Sequence, residues 1–170
     1  MNEALFEAQI KYTQAACTES CKKIYAPIRA VYLILFIITV LYMGWSVIRN
    51  GVLVLLPILL FSIAVVIFLF FMPMLLAGRM LRRQQLINNA PEPIETIWFY
   101  QDYFEVQAEN GGVSKFSYPN IGRILETKHL FILKIKPNLV QLIDQATFRQ
   151  GTASEFKDFL CHKTKAQNCK

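Results

Sequence analysis

Charge is scarce in this chain, and its distribution is uneven. Of 170 residues, 18% are Asp, Glu, Lys or Arg, where a soluble domain carries about 25%. Histidine is scarcer still, with only His129 and His162. Four cysteines are present, Cys17, Cys21, Cys161 and Cys169, and no two stand in C-x-x-C spacing. A structural zinc site would need both cysteine pairs to meet beside His162, so no metal is expected, and the thiols are expected to be reduced in a cytoplasmic setting. There is no G-x-S-x-G, no H-E-x-x-H and no glycine-rich phosphate cradle; "ENGG" at 109–112 reads as a turn. His129 falls at a turn and His162 near a helix end, while Glu126 and Asp144 sit near strand ends with nothing in their spacing that requires them to meet. The residues therefore point to no enzyme, no cofactor and no evident small-molecule substrate.

The net charge of +6 is local. Residues 1–30 hold four bases against three acids, 31–77 only Arg49, 78–93 Arg79, Arg82 and Arg83 against Glu92, and 94–170 ten bases against eight acids. A basic chain can signal nucleic acid, but here the C-terminal part is near neutral. No nucleic-acid partner is expected.

The missing charge leaves two long apolar runs. Residues 27–48 and 52–77 each exceed the roughly 20 residues that cross a hydrocarbon core, at about 33 Å and 39 Å as helices. Only "RNG", 49–51, separates them, which predicts a two-helix transmembrane hairpin over 27–77. Neither run contains Asp, Glu, Lys or His, against a transporter or proton channel acting alone. Lys22, Lys23 and Arg29 precede the first run, and Arg79, Arg82 and Arg83 follow the second. That asymmetry predicts both termini on the cytoplasmic side. Residues 78–93 read as a basic juxtamembrane linker that first continues the helix. Arg79, Arg82 and Arg83 are candidate contacts to anionic lipid headgroups, although the topology signal alone accounts for them.

From 94 the pattern changes to short apolar runs: "TIWFY", "YFEVQA", "VSKFSY", "IGRILET", "LFILKI" and "LVQLI". About six strands are expected, as a small antiparallel barrel or sandwich, with Val113 and Phe116 directed inward. "GTASEFKDFLCHK" follows, with Thr152 and Glu155 in capping-box spacing and Phe156, Phe159 and Leu160 in an i, i+3, i+4 stripe. Five bulky residues, Trp98, Phe99, Tyr100, Tyr103 and Phe104, cannot all face inward on strands. Trp98, Tyr100 and Tyr103 are the candidate interaction surface. Residues 1–26 read as a strand over 6–12 and a helix started by Thr13. The strand either pairs with the sheet of the C-terminal cytoplasmic domain over 94–170, so that the hairpin is inserted within one cytoplasmic domain, or the segment is a free amphipathic helix lying on the membrane.

The order of two close-set spans, then "FSYPNIGRILETKHLFILKI", then "LVQLIDQATFRQGTASEFKDFL", resembles the YcxB-like family of small bacterial membrane proteins. That family repeats a Tyr-x-x-Ile…Glu-Thr motif, here Tyr118, Ile121, Glu126 and Thr127, then an apolar strand, a turn and a final helix. "IDQATF" stands where the family usually has a proline-lysine pair. The resemblance implies a pleckstrin-homology-like (PH-like) barrel closed by one C-terminal helix, and it brings no activity. The expectation is an α+β membrane protein of the bacterial cytoplasmic membrane, multi-pass, with the lipid bilayer and a protein partner or homo-oligomer as its contacts. Its work would be that of a binding or scaffold module; the alternatives are self-immunity against a toxin or bacteriocin, or an accessory subunit of a transport system.

Overall fold

The computed structural model describes residues 3–50, 55–136 and 139–164, with the side chains at 46–50 and 55–58 also outside the description. The tight turn expected at 49–51 lies outside it. Strand β1 covers Phe6–Lys11, helix α1 Gln14–Asn50 and helix α2 Leu55–Asn88. Six strands follow: β2 Ile94–Phe99, β3 Tyr103–Ala108, β4 Val113–Ser117, β5 Ile121–Glu126, β6 Leu130–Ile135 and β7 Leu139–Asp144. Helix α3, Ala153–Lys163, comes last.

The strands form two antiparallel sheets, β1-β2-β3-β4 and β5-β6-β7. β1 pairs with β2 from Phe6↔Phe99 to Lys11↔Ile94. The two long helices therefore leave one strand and return to its hydrogen-bonded neighbour. Every second residue of β1, Phe6, Ala8 and Ile10, is buried, the alternation of a half-covered strand. Its other edge is met by the segment after β7: Thr147 Oγ1 accepts from Gln9 N at 3.0 Å and donates to Gln9 O at 2.7 Å, and Arg149 N donates to Glu7 O at 2.9 Å. Between β4 and β5 the chain makes a 3-10 turn at Tyr118–Asn120. The result is two sheets sharing a core, without a continuous hydrogen-bonded barrel. Val113 departs from expectation: it is exposed at the start of edge strand β4, beside the 108–112 turn, while Phe116 is half-buried against Phe104.

The core is aromatic. Phe156 of α3 meets Phe6, Phe99, Phe131 and Phe148 at ring-centroid distances of 4.6–5.6 Å. The helix is fixed at its start by a reciprocal capping box between Thr152 and Glu155, which satisfies two otherwise unpaired N–H donors. Gly151 precedes it with φ +75°, and a Cβ there would lie 2.4 Å from the Phe6 ring. Only glycine suits both conditions.

Thr13 starts α1, its Oγ1 accepting from Ala16 N at 3.2 Å. Helix α2 ends at Asn89, whose φ of 51° is the left-handed helix stop. α1 and α2 pack on each other, and Ser62, Pro73 and Ala77 of α2 are buried. Their other faces are bare: Leu41, Tyr42, Phe61 and Phe70 are each about 70% exposed. Cys17 and Cys21 are free and buried at the base of α1. Burial, with Cys21 alongside, pushes the Cys17 thiol up to about 11. Cys161 is disulfide-bonded. That corrects the reduced-thiol expectation for this residue, which rested on spacing, a quantity blind to redox state.

Candidate functional site

Strand β6 explains how the helices and the sheets come to share a site. Leu130, Phe131, Ile132 and Leu133 are all buried, although alternate residues of a strand point to opposite faces. Phe131 meets Phe156 in the aromatic core. The opposite face lies under α1, where Cys17 and Cys21 join the same apolar cluster. Lys134 breaks this run. It pairs across to Val140 of β7, so the two side chains are neighbours on one face.

That face borders a cleft of about 520 Å³, within the range of small-molecule pockets. One wall is α2, through Leu76, Arg79, Met80, Arg83, Gln84 and Ile87. Their i, i+3, i+4 spacing is a single helical face. The opposite walls are Cys21, Ile24 and Tyr25 of α1 and Lys134, Ile135, Leu139 and Val140 of the second sheet and its edge. Among the described residues three cations line the cleft, and none of its lining residues is acidic. Among the described residues, none of the three has a carboxylate within ion-pair distance.

The candidate headgroup residues thus divide. All three are exposed, but Arg79 and Arg83 line the cleft and Arg82 lies outside it. Lys134 is the cation that the linear reading passed over. Its signal was a lone charge inside an otherwise apolar strand.

The aromatic candidates lie elsewhere. Phe99 and Phe104 are buried and stack at 5.4 Å; Trp98, Tyr100 and Tyr103 are half-buried. Strand register places Glu7, Trp98, Glu105 and Lys115 in one row across the first sheet. Lys115 Nζ sits 3.3 Å from the Tyr103 ring centroid, and Tyr103 packs on Tyr100 at 4.7 Å. Tyr118, from the motif that carries the family likeness, donates its hydroxyl hydrogen to Tyr100 O at 2.6 Å. Burial raises its phenol above the ordinary value, with Asp102 adding to the effect.

A second polar cluster is fully internal. Tyr12 Oη donates to Glu95 Oε2 at 2.9 Å, and Gln141 Nε2 donates to the same oxygen at 2.9 Å. All three residues are buried. Burial drives the Tyr12 phenol well above its usual value, and the Glu95 carboxylate pushes the same way. Tyr12 is thereby kept as a donor, and the cluster ties β1, β2 and β7 together. Glu126 and Asp144 do not meet: Glu126 takes Lys157 at 2.6 Å, and Asp144 Oδ1 accepts from Ala146 N. Exposed His129 pairs with Glu19 at 3.1 Å. Among the described residues no group of three His, Cys, Asp or Glu is placed to hold a metal.

The architecture is α+β, with two long apolar helices set between paired strands of an antiparallel module. Residues 99–160 match the family model described as YcxB-like protein; the match starts at the end of β2 and runs through α3 to Leu160. No curated protein and no solved structure matches the chain.

Proposed function

We propose that this chain is a membrane-anchored binding module: a PH-like β-unit held at the cytoplasmic face of a bacterial membrane by a transmembrane hairpin, with both termini cytoplasmic and no catalysis. The observation that carries the reading is the bare apolar surface of the helices. The most apolar 18-residue stretch of α1 has no buried residue, and that of α2 has 17% buried. A core helix of a soluble protein would hide such a face. Strand pairing supports the hairpin geometry, because β1 and β2 are adjacent and hold both helix bases on one side of the module. The Arg79, Arg82 and Arg83 turns stand where the apolar run ends, consistent with contact to anionic headgroups.

Trp98, Tyr100 and Tyr103, on the far side of the module from its aromatic core, are the surface proposed for a protein partner or a second copy. Sidedness is tested directly. Reporter fusions at Asn50 and at Lys170 should report opposite sides of the membrane, with Lys170 inside. Both on one side would overturn the hairpin, and Lys170 outside would overturn the cytoplasmic assignment.

A further inference from the structure

We infer that the cleft between α2 and the second sheet is a seat for one anionic phospholipid, with the phosphate held by Arg79, Arg83 and Lys134 and the start of an acyl chain lying against Leu76 and the α1 wall. This rests on the membrane reading above and adds a bound ligand to it.

Three features carry the inference. The first is order along α2. Leu76 belongs to the last turn of the apolar run and Arg79 and Arg83 follow on the same face, so over about 10 Å the wall passes from apolar to cationic. An amphiphile has the same order at the boundary of a bilayer. The second is charge. Arg79, Arg83 and Lys134 line one cleft that, among the described residues, has no acidic lining residue. Cations gathered without a carboxylate partner favour an anion, and phosphate is the anion that guanidinium forks and a lysine point charge suit best. The third is origin. Lys134 comes from β6, not from the juxtamembrane helix. A topology signal needs bases beside the span and has no use for one on a strand, half-buried beside Val140.

The inference is tested on the full-length protein in mixed micelles of dodecyl maltoside with equal parts phosphatidylcholine and phosphatidylglycerol. Native mass spectrometry reads the lipid retained on the protein. Phosphatidylglycerol should be retained in preference to phosphatidylcholine. Arg83→Ala and Lys134→Ala should each weaken retention by about fivefold, the effect of one base near a lipid surface, and Arg82→Ala should leave it unchanged. Val140→Trp, which keeps every charge and fills the apolar side, should also expel the lipid.

Equal losses for Arg82→Ala and Arg83→Ala, or an unchanged Lys134→Ala, would overturn the seat and leave only diffuse surface attraction. Millimolar inorganic phosphate that displaces the lipid completely, without any selection between the two lipids, would assign the cations to a soluble phosphate ester and overturn the lipid as occupant. Membrane fractionation of the same variants is read separately. It should not change for any of them, so a failed lipid seat and a failed membrane anchor give different results.

Discussion

Phe70 and Phe99 show the same side chain in opposite surroundings. Phe70 is 71% exposed on α2, and Phe99 is wholly buried in the β-module. Phe99 stacks on Phe104 and packs edge-on to Phe156 at 4.6 Å, and removing it from water stabilises the module by roughly 1.5–3 kcal/mol. Phe70 touches Phe71 and the guanidinium of Arg29, and little else covers it. In water the helical pair would present a continuous apolar surface far beyond what a soluble monomer carries. The two regions follow the same rule only if they have different solvents. The module makes its own apolar interior; on the proposed reading, the outer halves of α1 and α2 take theirs from a bilayer.

The largest break in this comparison is expected at Phe156, which joins both sheets to α3. Phe156→Ala should cost about 3–5 kcal/mol, seen as a lower urea midpoint and as rapid proteolysis of the module in detergent, with the helices still in the membrane fraction. The complementary change is Ile38→Lys, in the middle of the first apolar run and 56% exposed. In a bilayer it costs roughly 2.5–3.5 kcal/mol of insertion, so membrane-fractionated protein should fall sharply. If α1 faced water the same change would improve solubility and leave fractionation as it was, which would sink the membrane reading.

A smaller effect is expected inside the module, where polar groups persist only with partners. Tyr12→Phe removes one of the two donors to Glu95 and should lower stability by about 1–3 kcal/mol, measured by urea denaturation. A neutral result would mean that water or Gln141 alone satisfies the carboxylate. That outcome would remove the claim that this cluster ties β1 to β7.

Periodicity explains which of these features could be read in advance. The apolar runs, the six C-terminal strands and the Thr152–Glu155 cap are local patterns, and each appears at its expected place. β1 was also visible as alternation in "FEAQIK", but its partner was not, since pairing across the 82 residues between Lys11 and Ile94 leaves no local mark. Val113 misled because it stands three residues from Phe116, so on a strand the two face opposite ways, and Val113 shares the outer face with Lys115. The cleft was half visible: Arg79, Arg82 and Arg83 stood out as a cluster, but helix phase alone does not say which face meets the sheet. Lys134 joins Arg79 and Arg83 only through the packing of β6 beneath α1, a tertiary fact.

The smallest effect concerns the seam between the two regions. Glu19, on the part of α1 below the apolar run, accepts from His129 N at 3.2 Å and pairs with His129 Nδ1 at 3.1 Å, joining the helix base to the β5–β6 turn. Burial works upward on this carboxyl, but hydrogen bonds from Thr127 and His129 and the His129 charge outweigh it and hold the group below its ordinary value. A carboxyl depressed in the folded state stabilises fully above its unfolded pKa, about 4.3, and loses that contribution as pH falls through the lower folded value. The pair is largely exposed, so less than about 1 kcal/mol is at stake. Urea midpoints of the wild type and of Glu19→Gln should therefore differ slightly at neutral pH and converge on acidification below the ordinary carboxylate range. Curves that stay parallel throughout would show that Glu19 carries no folding-linked proton and that apolar packing of Cys17, Cys21 and Ile24 alone holds the helix base to the module.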